Sequence, residues 1–237
     1  YALATAVALW RQKPMAEAAI EAQCAVIGNV GFLGIPMLIL LLGPKAIGPV
    51  MLVLAVDLIF FGSLVVMLVT GSRGGQAGFA LLATSALGLL KNPMIVSISL
   101  GLCWSALSLP IPAPLNDFVT ILGGAATPGA LFAIGASLAF KSAERLEVAA
   151  WLSFCKLILH PACVAFSAFV IFSVEPYSAG VMVAAAALPV AGNVYIIAQH
   201  YGVAPQRVSA SILISTALSI GTLSAVIALI GAGLIAA

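Results

Sequence analysis

From Ala46 to Ser72 the chain carries one charged residue, Asp57, and from Val208 to Ala237 it carries none. At a helical rise of about 1.5 Å per residue, each run outlasts a bilayer's hydrocarbon core of ~30 Å. Across the 237 residues 7% are charged and 63% hydrophobic, against about 25% charged in a soluble domain. So few charges cannot cover a surface facing water, and the solvent for most of it must be lipid. The formal net charge of +2 comes without a basic run, which argues against a nucleic-acid partner. Cys24, Cys103, Cys155 and Cys163 lie in apolar stretches without CxxC or Cys/His spacing. They are expected to be small buried hydrophobes, with no metal site and no disulfide framework.

Apolar runs bounded by Pro, Gly and charge clusters predict seven spanning helices, over 16–43, 46–70, 93–109, 115–140, 147–173, 177–201 and 207–235. Residues 1–10 are apolar but too few to cross a bilayer, which takes about 20. They also lack the charged start and cleavage site of a signal peptide, and read as the tail of a further span that begins upstream. Residues 76–90 are apolar enough to lie along the membrane surface. On alternate sides of these spans the positive charges divide unevenly. Arg11, Lys13, Arg73, Lys91, Lys141, Arg145 and Arg207 share one side, Lys45 stands alone on the other, and Lys156 lies within a span. The positive-inside rule makes the richer side cytoplasmic and puts the C-terminus outside.

Two of the spans are interrupted. The first contains Gly28-Asn29-Val30-Gly31-Phe32-Leu33-Gly34-Ile35-Pro36, the other Leu188-Pro189-Val190-Ala191-Gly192-Asn193-Val194. A proline costs a helix interior about 3 kcal/mol and a glycine about 1. In lipid the freed backbone groups have no water to bond, so such breaks persist only where they line a protein cavity. Both share Gly-Asn-Val, and beyond them Gly43 to Gly62 and Gly202 to Gly221 repeat a separation of 19 residues. This reads as an internal repeat whose second copy, five spans later, is inserted upside down. Paired discontinuous helices in inverted repeats mark secondary transporters, with the binding site where the breaks meet. Half-helix N-termini there favour an anion and C-terminal carbonyls a cation, and the amides of Asn29 and Asn193 can cap such ends. Thr127-Pro128-Gly129 is expected to break a third span.

These two segments, with Lys91-Asn92-Pro93 and Leu122-Gly123-Gly124-Ala125-Ala126-Thr127-Pro128, resemble the auxin efflux carrier family in its bacterial malonate-transporter branch. The resemblance covers essentially the whole chain. It implies an all-α integral membrane fold of two inverted five-helix repeats with two broken crossing helices, related to bile acid–sodium symporters. Residues 1–70 would hold the end of helix three and helices four and five. Residues 71–92 would form a cytoplasmic loop with an interfacial helix, and 93–237 helices six to ten. The N-terminal helices of the first repeat are then missing from this sequence. The resemblance further implies a multi-pass carrier of small carboxylates in the bacterial inner membrane, working by alternating access and often as a homodimer. Carried over by position, Asn29, Pro36, Pro189 and Asn193 would line the substrate site; Gly28, Gly31 and Gly192 of the same interruptions, and Thr127 as a site wall, are further substrate-binding candidates.

Three ionisable residues lie deep in spans: Asp57, Lys156 and His160. Asp57 is about 16 Å and Lys156 about 14 Å into its span, where a lone charge costs at least about 2.5 kcal/mol. His160 follows Lys156 by four residues and shares its helix face. Lys156 is the candidate to attract a carboxylate, and Asp57 or His160 to carry a coupling proton or sodium ion; no other cofactor is expected. The alternative is a structural Asp57–Lys156 pair. Glu17, Glu21, Asp117 and Glu175 fall near span ends and are expected to be solvated. An intramembrane enzyme or a channel is the rival function. Neither a second deep carboxylate, nor HExxH or GxSG, nor a repeated filter is present.

Overall fold

The computed structural model describes residues 1–72, 93–139 and 146–233, and among these the regular structure is helical apart from one isolated bridge. The expected loop at 71–92 falls almost wholly outside the described residues. In chain order the helices are α1 (Ala2–Trp10), α2 (Met15–Val26), α3 (Val30–Leu42), α4 (Pro44–Gly71), α5 (Pro93–Ala106), α6 (Ala113–Ala139), α7 (Leu146–Ile171), α8 (Pro176–Ala186), α9 (Gly192–Tyr201) and α10 (Pro205–Gly231). Among them α4, α7 and α10 are long and apolar enough to cross a membrane, and α3 and α8 are shorter apolar helices.

The spans expected at 16–43 and 177–201 are each two helices: α2 with α3, and α8 with α9. Small residues let these segments pack closely. Ala18, Ala19 and Ala22 of α2 and Ala179 and Ala184 of α8 are fully buried, as suits helices that approach by van der Waals packing rather than hydrophobic exclusion. Around them lie two apolar clusters. One gathers Ile20, Cys24 and Ile27 with Val65, Leu152 and Val194. The other gathers Val30, Leu38, Val50, Leu54, Val181 and Leu188. The chain passes between the clusters at both interruptions, from Ile27 to Val30 and from Leu188 to Val190.

In α7 a π-helical stretch, Cys155–Leu159, precedes Pro161. Proline has no N–H for the carbonyl four residues back and its ring crowds that carbonyl, so the ladder widens there. A second π stretch, Val56–Phe61 in α4, carries Asp57. Two of its carbonyls find side-chain donors: Ile59 from Ser63 Oγ at 2.6 Å and Phe61 from Gln23 Nε2 at 3.3 Å.

Two expectations are corrected. Thr127-Pro128-Gly129 does not break its helix, because α6 runs unbroken from Ala113 to Ala139. Membrane helices tolerate a proline where neighbouring helices, hydroxyl side chains or small local adjustments re-satisfy the freed backbone groups. Cys24 and Cys155 are buried as expected, but Cys103 and Cys163 are exposed, on apolar helix surfaces where a small, weakly polar thiol costs little in lipid.

Candidate functional site

The two interruptions pair with each other. Gly28 and Val190 form an antiparallel bridge. Asn29 N–H donates to the Pro189 carbonyl at 2.8 Å and Ala191 N–H to the Ile27 carbonyl at 3.1 Å. Inside a bilayer each unsatisfied backbone group costs several kcal/mol, and the bridge removes four of these liabilities at once. Asn29 (φ −74°, ψ 53°) makes an inverse γ-turn, closed by Val30 N–H on the Gly28 carbonyl at 2.7 Å. Val190 N–H finds Ser215 Oγ of α10 at 3.1 Å. The Ala186 carbonyl at the end of α8 accepts from Lys156 Nζ. Gly28 and the Asp57 side chain line the same small cavity beside the bridge. Position 28 is tight for anything larger than glycine: a Cβ would lie 3.3 Å from both the Ala185 carbonyl oxygen and Lys156 Nζ, which would have to give way slightly.

Neither asparagine caps a helix with its side chain, contrary to expectation. The backbone groups that do find partners, Asn29 N–H, Ala191 N–H, Val190 N–H and the Ala186 carbonyl, are met instead by the opposite interruption, by α10 or by α7. The asparagines still come together: Gly28, Asn29, Gly31, Asp57, Gly192 and Asn193 line one small cavity. It admits a water-sized sphere over about 20 Å³, room for one water molecule. Asn193 Oδ1 is buried there without a hydrogen-bond partner.

α3 and α9 both begin at this cavity, and Gly31, Phe32, Gly192 and Asn193 of their first turns line it. First-turn N–H groups have no partner within their own helix, and the helix dipole makes such ends favourable for negative charge. The Asp57 carboxylate, 8% exposed, faces both ends.

Lys156 stands behind the bridge, fully buried, with its ammonium 3.3 Å from His160 Nδ1. It interacts electrostatically with Asp57, but the two do not form a direct ion pair. Lys156, His160 and the half-buried Pro36 do not line the cavity, and Pro189 contributes its carbonyl to the bridge. Thr127 lies on α6, which approaches the bundle at the first turn of α3. No group of His, Cys, Asp and Glu suited to a metal ion occurs among the described residues.

The sequence matches the family described as membrane transport protein over residues 2–227. The chain belongs to the auxin efflux carrier family of membrane transport proteins. It is 32% identical over 236 residues to a protein of Rhizobium meliloti (strain 1021) named "Putative malonate transporter", covering 98% of this chain and 74% of that one.

Two polar features of the transporter were not anticipated. Ser215 belongs to a buried row, Ser211, Ser215 and Ser219, whose four-residue spacing on an apolar helix was the available signal. The second is a charge network where span ends were expected to be solvated. Arg207 of α10 bonds Glu21 at 2.6 Å and Glu17 at 2.9 Å, and Arg11 bonds Glu21 at 2.9 Å. Glu21 is 1% and Arg207 7% exposed. Glu17 and Glu21 stand one turn apart, so a single guanidinium fork reaches both. The network ties α2, the turn after α1 and the start of α10 together at one end of the bundle.

Proposed function

We propose that this transporter carries a small carboxylate, malonate or a close relative, across the bacterial inner membrane by alternating access, and that the crossing of the two interruptions is its substrate site. The observation that carries this reading is the meeting of two helix N-termini, α3 and α9, on one buried cavity. Their N–H groups supply fixed positive potential in a low-dielectric place without the desolvation cost of a second cation. Asn29 and Asn193 add amides that can turn to present either a donor or an acceptor, and the Lys156 amino group stands one layer behind. The described cavity takes a water and not a dicarboxylate, so it corresponds to a closed form that must open to load.

In this reading 1–70 and 93–237 belong to opposed repeats that rock about the crossing. Asp57 and His160 are the candidate carriers of a coupling proton, with sodium as the alternative ion, and a homodimer is the proposed assembly. The face bearing Arg11 and Arg207 is cytoplasmic. Purified full-length protein in liposomes tests the function: radiolabelled malonate should enter saturably and faster against internal unlabelled malonate. Ohmic current without such exchange would make the protein a channel, and chemical conversion of malonate an enzyme.

A further inference from the structure

Resting on the carboxylate-carrier reading, we infer that Asp57 is an internal stand-in for the substrate: its carboxylate occupies the anion position at the crossing, and a substrate carboxylate must displace it to bind. Asp57 is the carboxylate lining the cavity onto which α3 and α9 open, together with Gly28 and both asparagines. It stands opposite Lys156, the buried cation nearest the crossing. A site that attracts an anion in a membrane cannot stay empty cheaply, because its N–H groups and its neighbouring ammonium would be left uncompensated.

A carboxylate supplied by the protein itself solves this. The π stretch Val56–Phe61 brings it there by rotating α4 locally, away from the register of a continuous helix. Two carboxylates cannot share these donors, since like charges so close in low dielectric repel strongly. Substrate and Asp57 therefore exclude each other. The exclusion ties loading to movement of α4 and keeps the unloaded crossing shut and electrostatically balanced.

A merely structural aspartate and a stand-in respond oppositely to neutralisation. Malonate affinity is measured on the full-length protein by titration calorimetry, for wild type, Asp57→Asn and Asp57→Glu. Removing the competitor should tighten malonate binding roughly tenfold or more, the scale of one hydrogen bond to a charged group, while Asp57→Glu keeps wild-type weakness. Where wild type binds malonate, weaker or unchanged binding in Asp57→Asn overturns the inference.

Asp57→Ala provides a second arm that needs no malonate. Its lost thermal stability should return with formate or acetate and not with equimolar chloride. An alanine variant that folds only when formate or acetate is present supports the inference equally. Failure of both anions to restore it, or equal rescue by chloride, contradicts it. If wild type and variants all ignore malonate while the formate arm succeeds, the substrate reading fails and the stand-in survives.

Discussion

Lys156→Met tests how the crossing is held together. The ammonium is fully buried, donates to the Ala186 carbonyl and faces Asp57 across Gly28. Methionine keeps the length and much of the volume of the side chain and removes both polar services. The Ala186 carbonyl then ends α8 without that donor, a loss of about 1–3 kcal/mol for a buried acceptor. The Asp57 carboxylate loses its nearby counter-charge, and leaving a buried charge uncompensated costs about 3–5 kcal/mol. The second effect contains much of the first, so the single change should cost about 3–5 kcal/mol, a fall in Tm of roughly 10 °C for a chain of this size. Adding Asp57→Asn should cancel the charge part and leave only about 1–3 kcal/mol for the carbonyl. The coupling between the two sites is then at least about 2 kcal/mol in magnitude, and larger by whatever Asp57→Asn costs alone, far beyond the few tenths by which independent sites depart from additivity. Thermal unfolding followed by tryptophan fluorescence in detergent, on wild type, both single variants and the double, measures it. Additivity within about 0.5 kcal/mol would refute the electrostatic clamp and leave Lys156 acting on substrate alone.

Three further outcomes follow from other contacts. Arg207→Gln leaves the buried Glu21 with Arg11 as its remaining ionic partner and should lower stability by about 1–3 kcal/mol, with part regained in Arg207→Gln/Glu21→Gln; a change under about 0.5 kcal/mol would show that the network is solvated. Ser215→Ala leaves Val190 N–H unpaired beside the bridge and should cost about 1–3 kcal/mol, against almost nothing for Ser224→Ala on an exposed face. Glu175, outside the spans, accepts from the N–H groups of Tyr177 (3.0 Å) and Ser178 (2.8 Å). Hydrogen bonding, first from the Ser178 side chain, holds its carboxyl below the usual glutamate range. A carboxyl so lowered stabilises the fold above the unfolded-state value and loses that contribution as pH falls through its own. Glu175→Ala should therefore lower Tm at pH 7, and the gap to wild type should close in acid; a gap independent of pH would contradict the cap.

Much of the crossing was legible because its cause is local. Glycine and proline interrupt a helix whatever surrounds them, so Gly28-Asn29 and Pro189 through Asn193 marked both interruptions, and the shared Gly-Asn-Val suggested that they meet. What satisfies the exposed backbone was not legible, because the partners come from far along the chain: Ser215 for Val190, Lys156 for Ala186, and each interruption for the other. The asparagine caps failed for the same reason, since a bridge to another segment outcompeted a side chain. Pro128 misled because proline alone does not decide between a kink and a break. Glu21 misled because distance from a span end does not measure burial when an arginine 186 residues away closes over it.

The central claim is that the two helix N-termini at the crossing hold a carboxylate. Crystals of the full-length transporter grown with 2-bromomalonate test it most directly, because bromine's anomalous scattering locates the ligand independently of the protein density. The expected peak lies between Asn29 and Asn193, with a ligand carboxylate on the first turns of α3 and α9 and Asp57 moved aside. A fully occupied bromine site elsewhere, with the crossing closed and Asp57 still facing Gly28, would contradict the account.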